Sequence, residues 1–320
     1  MREIQYNQAI KEAIAEEMER DSKVFVLGEG VQTSSLKVTD GLVDKFGPKR
    51  IIDTPICETA IAGMAVGASH MGYRPIADMM YGDFMYIAAD EIMLKAAGWR
   101  LTNGGTQKVP VVFLAAIGGW NNVGNEHSRS PYSLVMREPG LKLVVPSNAY
   151  DAKGLMKTAI RDNNPVVYFY HKHLIGRKCD VPEGDYTVPF GKAEVKLEGS
   201  DVTVVGVALM VHWALDAAEK LKDRISVEVI DPKTLEPLDL ETILKSVKKT
   251  GRLVIVEEGN ARCGFAAELS MQVMEHGFDL LDAPVKRVCT KNYPIPGYWM
   301  EKHVFPKFEE LVAAIEEVAK

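Results

Sequence analysis

Apolar residues recur along this chain in two rhythms. Over residues 4–20, Tyr6, Ile10, Ala13, Ile14 and Met18 fall at helical spacing with charged residues between them, which predicts an amphipathic helix. Val24-Phe25-Val26-Leu27-Gly28 is a short apolar run closed by glycine and reads as a strand. The same reasoning predicts strands over residues 75–80, 111–115 and 166–169, and a helix over residues 84–97. Another helix follows Glu58, and a third runs to Ile160 with Ser147 or Asn148 as its cap. Nearly unbroken apolar strands alternating with helices indicate a parallel sheet covered on both faces.

The rhythm lapses over residues 171–199, where Pro182, Gly184, Pro189 and Gly191 stand among charged residues; this reads as a linker. It resumes with strands over 202–207, 225–230, 253–256 and 285–288, interleaved with helices over 211–221, 240–247, 265–274 and 308–318. The expectation is a two-domain α/β protein, residues 1–185 followed by a smaller domain over 186–320. A length of 320 residues accommodates that.

Composition narrows the partners. With 47% apolar residues a large core is available. The net charge of −6 is spread along the chain with no basic tract, which argues against nucleic acid. No apolar run approaches the roughly 20 residues of a membrane span. Cys57, Cys179, Cys263 and Cys289 form no Cys-x-x-Cys pair, which argues against zinc and dithiol redox chemistry. The first residues resemble neither a signal peptide nor an Arg-rich presequence, so a reducing, cytoplasmic setting is expected.

Three stretches carry candidate chemistry. In Asp53-Thr-Pro-Ile-Cys-Glu58 a lone carboxylate meets a helix rich in Ala and Gly, among them Ala60, Gly63 and Gly67. Burial there would let it exchange a proton near neutral pH; a carboxylate that merely complements the helix dipole is the plainer alternative. Cys57 beside it reads as a buried structural thiol. The glycine- and asparagine-rich stretch from Gly118 to Pro131 follows a buried strand and contains His127. It lies at the strand edge where open α/β sheets bind ligands, although taken alone a loop histidine bonded to backbone is the plainer reading. Met80 and Phe84 flank Gly82-Asp83 at another strand end, where a thioether and a ring hold either a flat heterocycle or simply the core. Gly28-Glu29-Gly30 lacks the third glycine of a dinucleotide fingerprint and reads as a turn, and His171-Lys172-His173 has no third ligand nearby.

Taken in order, Phe46-Gly-Pro-Lys-Arg50, Asp53-Thr-Pro-Ile-Cys-Glu58, Gly72-Tyr-Arg-Pro75, His127-Ser-Arg-Ser130, Pro139-Gly-Leu-Lys-Leu-Val-Val-Pro146, Asp151-Ala-Lys-Gly-Leu155 and Gly264-Phe-Ala-Ala-Glu268 resemble the β subunit of the thiamine-diphosphate-dependent component of 2-oxo acid dehydrogenase complexes. Pyruvate, branched-chain oxo acid and acetoin dehydrogenases belong to that group. The resemblance implies a pyrimidine-binding parallel-sheet domain followed by a transketolase-type C-terminal α/β domain. It implies that Glu58 hydrogen-bonds the aminopyrimidine of thiamine and cycles a proton with it, that Met80 and Phe84 pack around that ring, and that His127 acts near the substrate during acyl transfer to a lipoyl group. Val111, Ala159, Ile160, Asp162 and Asn164 match a structural potassium site built largely of backbone carbonyls. The Gly-Asp-Gly motif that holds magnesium and the diphosphate is missing here, so the resemblance implies an α subunit that supplies it, two α and two β chains together, and a lipoylated acyltransferase as acceptor. Oxidative decarboxylation of a 2-oxo acid is the expected reaction. Acetoin cleavage, transketolase-type chemistry and a non-catalytic assembly subunit are the alternatives. Arg129 and the stretch Trp120-Asn-Asn-Val-Gly-Asn125 depart from the group's usual pattern.

Overall fold

The computed structural model describes residues 1–320. The chain divides into two units, residues 1–117 with 134–190 and residues 118–133 with 191–320. The change of unit near residue 190 lies five residues beyond the expected boundary at 185, and the stretch 118–133 groups with the second unit.

In the first unit β1 (Arg2–Gln5) leads into α1 (Tyr6–Arg20), followed by β2 (Val24–Gly28), α2 (Leu42–Phe46), β3 (Ile51–Asp53), α3 (Glu58–His70), β4 (Arg74–Tyr81), α4 (Ala97–Thr102) and β5 (Val112–Ile117). After α5 (Tyr132–Met136) come β6 (Lys142–Val144), α6 (Ala149–Arg161), β7 (Val166–His171) and β8 (Lys178–Val181). One sheet runs β6-β7-β5-β4-β2-β3 with every neighbouring pair parallel. Every residue of β5 and β7 is buried, which is why these strands read as unbroken apolar runs instead of alternating.

Three local expectations change. Residues 2–5 are a strand paired antiparallel with β8, Arg2 opposite Val181, so Ile4 and Gln5, expected in the helix over 4–20, belong to β1. The expected linker over 171–199 contains β8 and the later β9, four-residue strands too exposed to leave a pattern. The expected helix over 84–97 is a 3₁₀ turn (Gly82–Tyr86), then a π-helical segment (Asp90–Ala96) that runs into α4. Such widened turns recur where a helix is shaped by function.

Asn148 is the cap of α6, its Oδ1 accepting from Asp151 N at 2.9 Å. The helix packs on α1 through charge as well as carbon. Lys153 and Lys157 are buried, and each donates to Glu16 at 2.6 Å. Arg161 forms a two-pronged pair with Glu17 at 3.0 and 2.6 Å. Loss of Glu16 would leave two buried ammonium groups short of a partner, the costly half of a buried ion pair.

The second unit contains β9 (Glu194–Leu197), β10 (Val202–Gly206), α7 (Leu209–Leu221), β11 (Val227–Asp231), β12 (Thr234–Glu236), α8 (Leu240–Thr250), β13 (Leu253–Asn260), α9 (Phe265–Gly277), β14 (Lys286–Thr290) and α10 (Phe308–Val318). Its sheet runs β14-β13-β10-β11-β9, parallel throughout except for β9 against β11. No helix is long and apolar enough to cross a membrane.

Candidate active site

The carboxyl end of β4 is deformed. Its register with β5 shifts between Asp78 and Tyr81, and within that bulge Met80 takes φ +60°. A side-chain-bearing residue in this left-handed region costs on the order of 1–2 kcal/mol. Asp78 offsets part of that cost, its Oδ1 accepting from Met80 N at 2.9 Å. Burial pushes the Asp78 carboxyl up to about 6, with the Met80 N–H pulling the other way. Gly28 at the end of β2 allows this close approach, because a Cβ there would run into the Asp78 carbonyl oxygen. The bulge re-aims the chain, leaving Met80 and Phe84 half-buried. The Phe84 ring stands edge-on to Tyr81, with centroids 5.7 Å apart. Beside them is a small cleft lined by Glu29, Gly30, Ser34, Asp78, Met80 and Tyr170.

Glu58 is the first residue of α3. It is half-buried, and its carboxylate makes no hydrogen bond or ion pair within the chain. Nearby in sequence, the Thr54 hydroxyl is buried without a partner. Thr59 Oγ1 donates to Ile87 O at 3.2 Å, and a Cβ on Gly63 would sit 3.3 Å from the Glu91 carboxyl carbon. The segment carrying Phe84 is thus fastened to the start of α3. The surface here is open: Ile56 is 71% exposed, Met64 51%, Ile87 58% and Leu94 69%. Cys57 is exposed, not the buried thiol expected from its neighbours, because the turn before α3 faces outward. Gly67 has nothing within 4 Å of where a Cβ would lie.

His127 belongs to the second unit, on a stretch held by carboxylates. Glu301, only 1% exposed, accepts from Trp120 N at 2.9 Å with one oxygen and from Asn122 N with the other. Glu258, 3% exposed, accepts from the Trp120 indole N–H. Asn122 O accepts from Tyr298 N at 3.1 Å, Val123 bridges Gly297, and Asn125 Oδ1 accepts from Ile295 N at 3.3 Å and from Arg129 Nε at 3.2 Å. These bonds stabilise the left-handed turns at Trp120 and Asn122, φ +70° and +57°. Gly119 is required, since a Cβ there would overlap the Phe305 ring. His127 is half-buried, its backbone N–H donating to Gly124 O at 3.3 Å, and the Ser128 and Ser130 hydroxyls beside it are buried without partners. Glu257, fully buried, accepts from Ala266 N at 2.6 Å and so caps α9. Burial pushes its carboxyl up to about 7, and its Oε2 has no partner.

The carbonyls matched to potassium already have donors. Arg74 Nη1 gives 2.9 Å to Ile160 O and 2.8 Å to Asp162 O, Val166 N gives 2.9 Å to Val111 O, and Asp162 N gives 3.3 Å to Ala159 O. Asn164 accepts from Arg100 through its side chain at 2.6 Å. Each carbonyl keeps a second lone pair, so the set fits a monovalent ion only in part, with a guanidinium already on two of its members. His171 Nδ1 accepts from His173 N at 3.2 Å, a turn contact.

Asp78, Glu258 and Glu301 carry no mark of their own in the sequence pattern. Asp78 lies inside a predicted strand and Glu258 two residues after one. Glu301 clamps residues some 180 positions away, which no local pattern reports.

Residues 2–178 match the transketolase pyrimidine-binding domain, and residues 191–311 match the transketolase C-terminal domain. The chain is 45% identical to a pyruvate dehydrogenase E1 component subunit beta from Rickettsia felis, covering 99% of this chain and 98% of that one. It is 43% identical to the 2-oxoisovalerate dehydrogenase subunit beta of Bacillus subtilis (98% of each) and 41% identical to an acetoin:2,6-dichlorophenolindophenol oxidoreductase subunit beta of Cupriavidus necator (100% and 98%). Among solved structures, a split-gene transketolase described as an inactive β4 tetramer superposes with a TM-score of 0.81 at 25% identity, covering 99% and 98% of the two chains. The fold is that of the transketolase-type thiamine enzymes. Within it, the chain belongs to the family of E1 β subunits shared by pyruvate, 2-oxoisovalerate and acetoin dehydrogenases.

Proposed function

We propose that this chain is the catalytic β subunit of a thiamine-diphosphate-dependent 2-oxo acid dehydrogenase and works only with an α subunit. The observation that carries this reading is Glu58, half-buried at the start of α3 with no partner of its own chain. A carboxylate in that state is available to a group from outside. Bound thiamine diphosphate supplies the electron sink for decarboxylation. Glu58 would hold and return a proton at the aminopyrimidine ring, and Met80 and Phe84, half-buried at the β4 bulge, would hold that ring. His127 acts later, stabilising charge or moving a proton as the acyl group passes to a lipoyl acceptor. The diphosphate and its magnesium fall to the α subunit, since the chain has no Gly-Asp-Gly. The carbonyls of Val111, Ala159, Ile160, Asp162 and Asn164 are assigned to a structural potassium ion, which would share two of them with Arg74.

The substrate class is a 2-oxo acid, pyruvate or a branched-chain one, supported by the Rickettsia and Bacillus relatives. Acetoin is the alternative that the Cupriavidus relative supports. Calorimetric titration with thiamine diphosphate and magnesium tests the need for a partner. The isolated chain is expected to give no saturable heat, and the chain reconstituted with an α subunit carrying Gly-Asp-Gly is expected to bind. Tight binding by the isolated chain would overturn the split-site reading.

A further inference from the structure

The second unit contains a cavity of about 390 Å³ lined by Trp120, Trp213, Lys302, His303, Lys307, Phe308 and Glu309. We infer that it is a binding site for a small organic anion with a flat aromatic body, distinct from the residues assigned to thiamine chemistry. Its walls are aromatic. Trp120 and Trp213 lie with ring centroids 5.5 Å apart and tilted by 50°, and Phe308 stands edge-on to Trp213 at 6.1 Å. Rings set at such angles leave faces and edges for another flat ring to pack on.

The rim is cationic. Lys302 and Lys307 are exposed, and neither is tied up in an ion pair. His303 also lines the cavity, and Glu309 is the only acid in the lining. A carboxylate or phosphate at the rim would meet two ammonium groups with hydrogen-bonding capacity to spare. The volume falls at the lower end of the range for small-molecule sites, and an apolar lining with a few polar groups is their usual make-up.

The wall is also built at a cost. Trp120 sits in a left-handed turn that a side chain disfavours. It is held there by two buried carboxylates, Glu301 on its backbone N–H and Glu258 on its indole N–H. Gly119 is spent so that Phe305 can back it, the Trp120 and Phe305 centroids lying 5.3 Å apart. Two buried acids and a strained turn hold a half-exposed indole at the cavity wall.

The test uses the full chain and matched probes: 2-naphthoate, 2-naphthyl phosphate and neutral 2-naphthamide, titrated by calorimetry and by saturation-transfer NMR. Saturable binding is expected for at least one anion, at least about tenfold tighter than for the amide, a difference worth one power of ten in Kd. Whichever anion binds more tightly identifies carboxylate or phosphate as the natural headgroup. The double variant Lys302→Glu/Lys307→Glu should weaken anion binding about tenfold, and Trp213→Ala should weaken both anion and amide, each with unchanged circular dichroism. Glu58→Gln should leave naphthoate binding unchanged, which separates this site from the thiamine reading. Absence of saturable binding, equal affinity for anion and amide, or full affinity in the charge-reversed variant would each overturn the proposal.

Discussion

The β4 bulge of the first unit and the His127 stretch of the second both pay for left-handed backbone, yet they are finished differently. At the bulge a single internal bond, Asp78 to Met80 N, supports the strain, and Glu58 on the neighbouring helix has no partner. Along 118–133, Glu301 and Glu258 satisfy the turn from within the same unit. One region leaves a carboxylate without a partner in the chain; the other meets its strained turn with buried carboxylates. The difference separates a carboxylate left without a partner from a strained turn that is satisfied internally, and His127 lies on the second stretch.

The sharpest way to break that contrast is to neutralise the open carboxylate. Glu58→Gln keeps size and hydrogen bonding but cannot cycle a proton. Reconstituted with an α subunit, it is expected to lose decarboxylation by about a hundredfold or more, with deuterium exchange on the bound cofactor slowed in parallel. His127→Ala should leave that exchange nearly intact while acyl transfer to a lipoyl acceptor falls by an order of magnitude or more. Unchanged turnover in both variants would make these residues structural.

The closed region should respond in stability and protection first. Glu301→Ala removes the acceptor for two backbone N–H groups and is expected to cost about 1–3 kcal/mol in denaturant unfolding. Amide exchange should accelerate at Trp120 and Asn122. If protection there is unaltered, the clamp is not what holds the turn.

An effect that shows only as a slope with pH concerns Glu257. Its carboxyl is pushed up to about 7 by burial, so the native state keeps the proton at pH values where the unfolded chain has lost it. Stability therefore falls as pH rises from the ordinary glutamate range to about 7, by at most about 1.4 kcal/mol per pH unit from this group, and levels off above. Glu257→Gln, which still accepts from Ala266 N, should flatten that slope when urea midpoints are compared at pH 5 and pH 8. An identical slope would show that another group sets the pH dependence.

Much of this architecture is legible in the sequence. The buried strands announce themselves as apolar runs, and α6 carries its cap in Asn148. What stays hidden is long-range or half-exposed. β1 and β8 are four-residue strands whose partners lie far apart, and no periodicity marks them. Lys153 and Lys157 look like solvent-facing charges until α1 brings Glu16 to them. The stretch Trp120-Asn-Asn-Val-Gly-Asn125 stands out as unusual, but Glu301, the residue that makes it stable, gives no local sign. Glu58 and Phe84 are readable because each stands where a strand or turn meets a helix. The bulge that displays Met80 depends on register, which the residues themselves do not spell out.

The open face around α3 bears on how the protein is made. Ile56, Met64, Ile87 and Leu94 are exposed there, with Leu101 at 86% further along the same stretch of chain. Apolar surface of this kind recruits whatever meets it first. Under the proposed pairing, chains synthesised in excess of the α subunit would find one another or the quality-control machinery before they find their complement. Balanced output of the two polypeptides, rather than the intrinsic stability of either, would then set how much working enzyme a cell holds.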